Sequence, residues 1–212
     1  MKIPKIEQQS LNNLAYTMIK ELILNNILKP GSKIKQEEMA QQLGISRAPL
    51  RLALTRLEAE GLVVTYPRRG FFVKNISKEE LSEVLGIRTY IEIIGIDLLI
   101  DNINENIKNS LLQFLKEFEA AFNSKNEKKY FEIDRRFHHY LVEATGNKAL
   151  ERISTLSNIQ VSRYLIHVNL EASLRDHKEL IDCILNSKPK EAEQIIKEHL
   201  RRVEDYLNSK SN

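Results

Sequence analysis

The chain has 212 residues, enough for one large domain or two modest ones, and its 42% hydrophobic and 29% charged content is ordinary for a globular protein. A single cysteine, Cys183, excludes an internal disulfide, and the absence of any uncharged apolar run of about 18 residues excludes a membrane-spanning helix. The net charge of +3 hides an asymmetry, because residues 1–75 carry 12 Lys and Arg against 6 Asp and Glu while the remainder carries 20 against 23. A basic first third is the electrostatic footprint of a module that meets a polyanion. The first residues, MKIPKIEQQS, lack the apolar core of a signal peptide, so a cytoplasmic location is expected.

In chain order, a helical pattern runs from about Leu11 to Ile27 and stops at Pro30-Gly31. A short helix follows in KQEEMAQQLG, with Met39, Ala40 and Leu43 on its apolar face. Gly44 closes it, and Ser46 is placed to cap a third helix, SRAPLRLALTRLEAEG, that ends at Gly61. Pro49 falls in the first turn of that helix, where a missing N–H costs little. Two short helices joined by a tight glycine-containing turn form a helix-turn-helix. The next stretch, VVTYPRRGFFVK, reads as a hairpin with a basic tip, Arg68-Arg69-Gly70, and a hairpin in this place is a wing.

The charges suit DNA. Arg47 and Arg51 project from one side of the N-terminal end of the third helix, the end that enters a major groove, while Leu50, Leu54 and Leu57 face the core. Arg68 and Arg69 are placed to reach phosphates or a minor groove. Ser46 is a candidate phosphate donor, although capping is the plainer role.

The segments LKPGSKI, EEMAQQLGISRAPLRLALTRLEAEGLV and PRRGFFV resemble the DNA-binding domain of the GntR family of bacterial transcription regulators, from about Leu11 to Lys74. The resemblance implies operator binding. Two departures bear on sequence preference: Leu52 stands where the family usually has an acidic residue, and Ala48-Pro49-Leu50 stands where Thr-Pro-Val is frequent.

Ser77-Lys78-Glu79-Glu80 is a capping box that opens a new helix, which sets the domain boundary at about residue 75. Six helices are expected beyond it, over 78–101, 105–124, 127–144, 148–169, 173–187 and 190–208. The predicted architecture is therefore mainly α: an N-terminal winged helix-turn-helix (1–75) and a C-terminal antiparallel all-α helical bundle (76–212).

Within FEIDRRFHHYL, Tyr130, Ile133, Phe137 and Leu141 define an apolar helix face. Asp134 and His138 lie within or beside that face, one turn apart, while Arg135, Arg136 and His139 point away. His177 and His199 also fall on apolar faces of later helices, and His167 lies near the edge of its own. A single inward histidine is most often a satisfied core residue. Three of them with an inward aspartate suit a divalent metal, zinc first, with nickel or iron as alternatives. Arg88 is inward too, four residues before Glu92, as either a buried ion pair or a fork for a carboxylate ligand.

This second region is similar to the ligand-binding domain of the FadR-like, FCD-type branch of GntR regulators, carried by IRTYIE, DRRFHHYLVEATGN, DHKELIDCI and EHL. The resemblance implies a metal site at Asp134, His138, His177 and His199, with Arg88 holding a small carboxylic acid effector. The segment between His138 and His177 is somewhat shorter than usual, so Arg163 there carries no assignment. The expected protein is a homodimeric, non-enzymatic regulator of double-stranded operator DNA, and repression relieved by effector is the usual family arrangement. Three readings stand beside it: a regulator whose signal is metal occupancy itself, a metalloenzyme fused to a DNA-binding module, and a metal-free polar core. The enzyme reading suffers from the lack of an evident inward general base.

Overall fold

The computed structural model describes residues 11–161 and 169–209. The chain divides into two compact units at Ile76/Ser77.

The first unit contains α1 (Leu11–Leu24), α2 (Gln36–Gln42), α3 (Arg47–Ala59), β1 (Val63–Tyr66) and β2 (Gly70–Val73). Its core is built from Ile19 and Ile23 of α1, from Leu50, Leu54 and Leu57 of α3, and from Ile34 and Leu62, all essentially inaccessible. The turn between α2 and α3 depends on Gly44, whose φ of 65° is the left-handed region that a side chain disfavours. Tyr16 and Lys20 of α1 bind the Glu60 carboxylate just after α3, and the Arg56 guanidinium covers the Tyr16 ring 3.7 Å from its centroid. Burial beside Glu60 pushes the Tyr16 phenol well above its ordinary range.

The strands β1 and β2 pair antiparallel, Val63 opposite Val73 and Tyr66 opposite Gly70. The expected hairpin carries an addition. Residues 31–34 run alongside β2, through Ile34 N–H to Phe71 C=O at 2.9 Å and Val73 N–H to Ser32 C=O at 2.9 Å, and so tie the wing to the start of α2.

The second unit contains α4 (Lys78–Asp101), α5 (Glu105–Asn123), α6 (Glu127–Glu143), α7 (Lys148–Val161), α8 (Leu170–Leu185) and α9 (Pro189–Ser209). The Ser77 hydroxyl accepts from Glu80 N–H at 3.1 Å, as the capping box requires. Asn104, Asn126 and Asn169 cap α5, α6 and α8 through their side-chain carbonyls. The Asn169 cap explains why α8 begins at Leu170, earlier than its apolar periodicity indicates. Residues 162–168 of the helix expected over 148–169, Arg163 and His167 among them, lie outside the described residues.

Helix α4 packs against α6, α7 and α9, α5 against α6 and α8, and α8 against α9. One close approach positions the polar interior. A Cβ on Gly95 of α4 would meet Leu141 C=O at 3.0 Å and Val142 Cγ2 at 3.1 Å, so glycine lets α4 and α6 cross tightly. Glu92, one turn before Gly95, is thereby brought against His138, one turn before Val142.

Candidate nucleic-acid interface and metal centre

In the first unit, the helix-turn-helix and wing border a cleft of about 480 Å³ lined by Lys33, Lys35, Gln36, Glu37, Arg47, Arg68, Arg69 and Gly70, among others. The predicted DNA-facing residues differ in their freedom. Arg51 is exposed on α3. Arg47 forms an ion pair with Glu37 of α2. Arg69 lies over the Tyr66 and Phe72 rings, 5.9 and 5.5 Å from their centroids, so part of its role is to stiffen the wing. Arg68 heads the tip with a left-handed φ of 61°, and Gly70 follows at 89°. Ser46 stands at the N-cap of α3 with extended backbone, but its hydroxyl makes no capping bond. The reason is local: the residue three further on, which would normally donate to the cap, is Pro49 and has no N–H.

In the second unit, Asp134, His138, His177 and His199 come together from α6, α8 and α9, all buried, with one ligand atom from each within 4.8 Å of the others. The three histidines are oriented from behind. Glu92 Oε2 lies 2.6 Å from His138 Nδ1, and Arg88 Nε donates to Glu92 Oε1 at 2.6 Å. Burial pushes the Glu92 carboxyl above its ordinary value, and Arg88 works against that shift by favouring the ionised form. The His177 Nδ1 lies 3.2 Å from Tyr130 Oη, whose proton goes to Ser173 Oγ at 3.2 Å. The His199 Nδ1 lies 3.2 Å from Asp176 Oδ2, an oxygen that also pairs with Arg202. Burial works to raise the Asp176 carboxyl, yet its bonds to His199 and Arg202 hold it below the usual carboxylate range.

With each Nδ1 committed outward, the remaining ring nitrogens turn lone pairs toward the centre. His138 Nε2 and His177 Nε2 are 3.4 Å apart, and Asp134 Oδ1 is 3.3 Å from the latter and 3.7 Å from the former. Asp134 Oδ2 is buried with no hydrogen-bond partner. In the tautomers with the proton on each Nδ1, three lone pairs and a carboxylate converge as an acceptor-only cluster, which fits a cation. The spacing fits too, since nitrogen ligands about 2.1 Å from one tetrahedral ion lie roughly 3.4 Å apart. Burial lowers the His138 and His199 imidazoles below their ordinary value, so both are neutral ligands at pH 7. Burial alone would raise the Asp134 carboxyl, whereas a proton that His138 or His177 turns toward it holds it far below the usual range. Phe118 stacks on His177 with centroids 4.2 Å apart, and Phe137 meets the same ring edge-on, which fixes its plane.

Residues 83–202 match the FCD domain family, and residues 11–73 match the family described as bacterial regulatory proteins, gntR family. The chain belongs to the GntR family and carries an FCD domain. This GntR regulator is 27% identical over 198 residues to the HTH-type transcriptional regulator YdhC of Bacillus subtilis (strain 168), covering 91% of this chain and 88% of that one. It is 26% identical over 204 residues to the HTH-type transcriptional repressor RspR of Escherichia coli (strain K12), covering 94% and 90%. Its fold superposes on the solved structure of E. coli McbR/YncC with a TM-score of 0.84 at 21% identity, over 97% of this chain and 100% of the other.

Three residues of the FCD domain were not recognised from sequence as part of this centre. Tyr130 reads as an apolar-face residue, and only its hydroxyl betrays the second role. Glu92 is legible as the partner of Arg88 but not of His138, a contact across 46 positions. Asp176 adjoins His177 and cannot share its direction on a helix, yet both are buried because α8 packs against α5, α9 and α4. The inward Glu92 and Tyr130 both stand against histidine Nδ1 atoms. His139 is half-buried rather than solvated, and a ligand atom of it lies within 4.8 Å of one each from Glu143 and Glu151. Arg136 is surface, as expected, where it pairs with Glu117 at 2.8 Å.

Proposed function

We propose that this GntR regulator is a cytoplasmic, homodimeric repressor whose operator affinity is set by a small carboxylic acid bound next to a divalent metal in the FCD domain. The acceptor-only cluster of Asp134, His138, His177 and His199 carries this reading. These four residues would hold the ion, zinc before nickel or iron, given imidazole nitrogens with one carboxylate. A bound cation supplies positive charge and open positions for carboxylate oxygens. Residues 76–212 form the effector and dimerisation part, and residues 1–75 the operator-binding part.

The chain's own residues supply the rest. Glu92, Tyr130 and Asp176 fix the imidazole tautomers and ring planes. Arg88 engages Glu92 through Nε, and its outer fork, Nη1 and Nη2, is the donor pair that a ligand carboxylate would meet. Phe118 and Phe137 keep the surroundings apolar, which strengthens any charge pairing within. In the DNA-binding part, Arg51 and Arg47 would meet base edges and Arg68, Arg69 and the Gly70 backbone the phosphates, with Ser46, uncommitted to its helix, as a further donor. A two-fold dimer presents two such surfaces to a palindromic operator. Effector control requires that the acid bind one arrangement of the DNA-binding parts more tightly than another.

Operator-binding titrations with metal-loaded and metal-free protein, each with and without a panel of small carboxylic acids, test this. The proposal predicts that one class of acid weakens operator binding about tenfold or more, and only in the metal-loaded protein. If metal alone shifts operator affinity and no acid adds to it, metal occupancy is the signal and the effector reading fails.

A further inference from the structure

Helix α3 buries Leu50, Ala53, Leu54 and Leu57. At about 100° per residue, the opposite side is centred on Ala48, Leu52 and Thr55, all of them exposed. Leu52 is 61% exposed. A lone surface leucine needs no explanation in general. This one lies in the second turn of a recognition helix, next to Arg51, on the side that enters a major groove.

The charged groups of α3 flank this apolar strip. Arg47 turns to Glu37 of α2 on one side. On the other, Arg56 lies over the Tyr16 ring and pairs with Glu60 at 3.5 Å. Ala48 sits one turn before Leu52, so the centre of the face offers methyl groups from both. In the major groove only thymine presents an apolar group, its C5-methyl, while every other base edge shows donors and acceptors.

We infer that Leu52, with Ala48 beside it, is a specificity-determining contact for the 5-methyl group of a thymine in each operator half-site. Neither side chain hydrogen-bonds, so the pair selects by covering a methyl group and disfavours an unmatched polar base edge. Arg51 alongside supplies the polar reading of a neighbouring base.

The test uses the full chain and a duplex that it selects from random-sequence DNA. Each thymine is replaced singly by deoxyuridine, which removes only the 5-methyl. The expected result is about a fourfold loss of affinity per methyl at one thymine of each half-site for the wild type, and no loss at that position for Leu52→Ala. Leu52→Glu should reselect sites with cytosine there, because a carboxylate accepts from its amino group. Equal melting temperatures show that the exposed substitutions leave the fold intact. The inference is overturned if no thymine shows a methyl penalty in the wild type, or if Leu52→Ala retains every penalty.

Discussion

His138 and His177 face one another Nε2 to Nε2 at 3.4 Å, both buried. Their Nδ1 atoms are held by Glu92 and Tyr130 on the outer side. Two lone pairs opposed in a buried site repel unless a cation lies between them. Loading with zinc at about 100 times Kd should therefore raise unfolding stability by roughly 2.7 kcal/mol. Asp134→Asn and His177→Ala should remove most of that gain in calorimetry. A wild-type gain that persists in both variants would place the ion elsewhere.

Glu92 joins two functions, since Arg88 donates to one of its oxygens and the other lies 2.6 Å from His138 Nδ1. Glu92→Gln keeps the shape but weakens the acceptor behind His138. Metal affinity measured against a competing chelator should fall about 10- to 100-fold, the usual cost of losing an outer-shell partner. An unchanged affinity would mean that His138 needs no orienting partner.

The pH dependence of the metal-free protein follows from the histidines. His138 and His199 have folded-state values depressed by burial, so the unfolded chain takes up protons first. Stability is then full above about pH 6.5 and falls as pH drops below it. Thermal melting between pH 7 and pH 5 should show the decline, and His199→Gln should flatten it. A melting temperature that stays level over this interval would contradict neutral buried imidazoles.

Arg51 and Arg68 should respond differently to removal. Arg51→Ala should cost about 1–3 kcal/mol of operator binding and change which bases are preferred at one position. Arg68→Ala should weaken binding evenly across sequences and reduce its salt dependence. Fluorescence anisotropy on a set of operator variants separates the two. A uniform loss for Arg51→Ala would reduce that residue to a phosphate contact.

Much of this was legible in the sequence because its signals are local. Gly44, the Ser77 capping box and the leucines of α3 mark their elements within a turn or two, and the inward direction of Asp134 and His138 follows from helical period alone. What was not legible depends on contacts between distant segments. Tyr130 carries apolar bulk and a hydroxyl on the same side chain, so periodicity cannot assign it a polar partner. Asp176 is buried because α8 is enclosed on several sides, a property of packing rather than of its own pattern. The failure of Ser46 to cap α3 could have been anticipated, since Pro49 already stands in the sequence where the donor is needed.

The most direct measurement is native mass spectrometry of the full chain purified without chelator, beside the Asp134→Asn variant. The account predicts a wild-type dimer carrying one divalent metal per subunit, together with a small acid where one is retained, and a variant without the metal. A wild-type protein with no stoichiometric metal would contradict it.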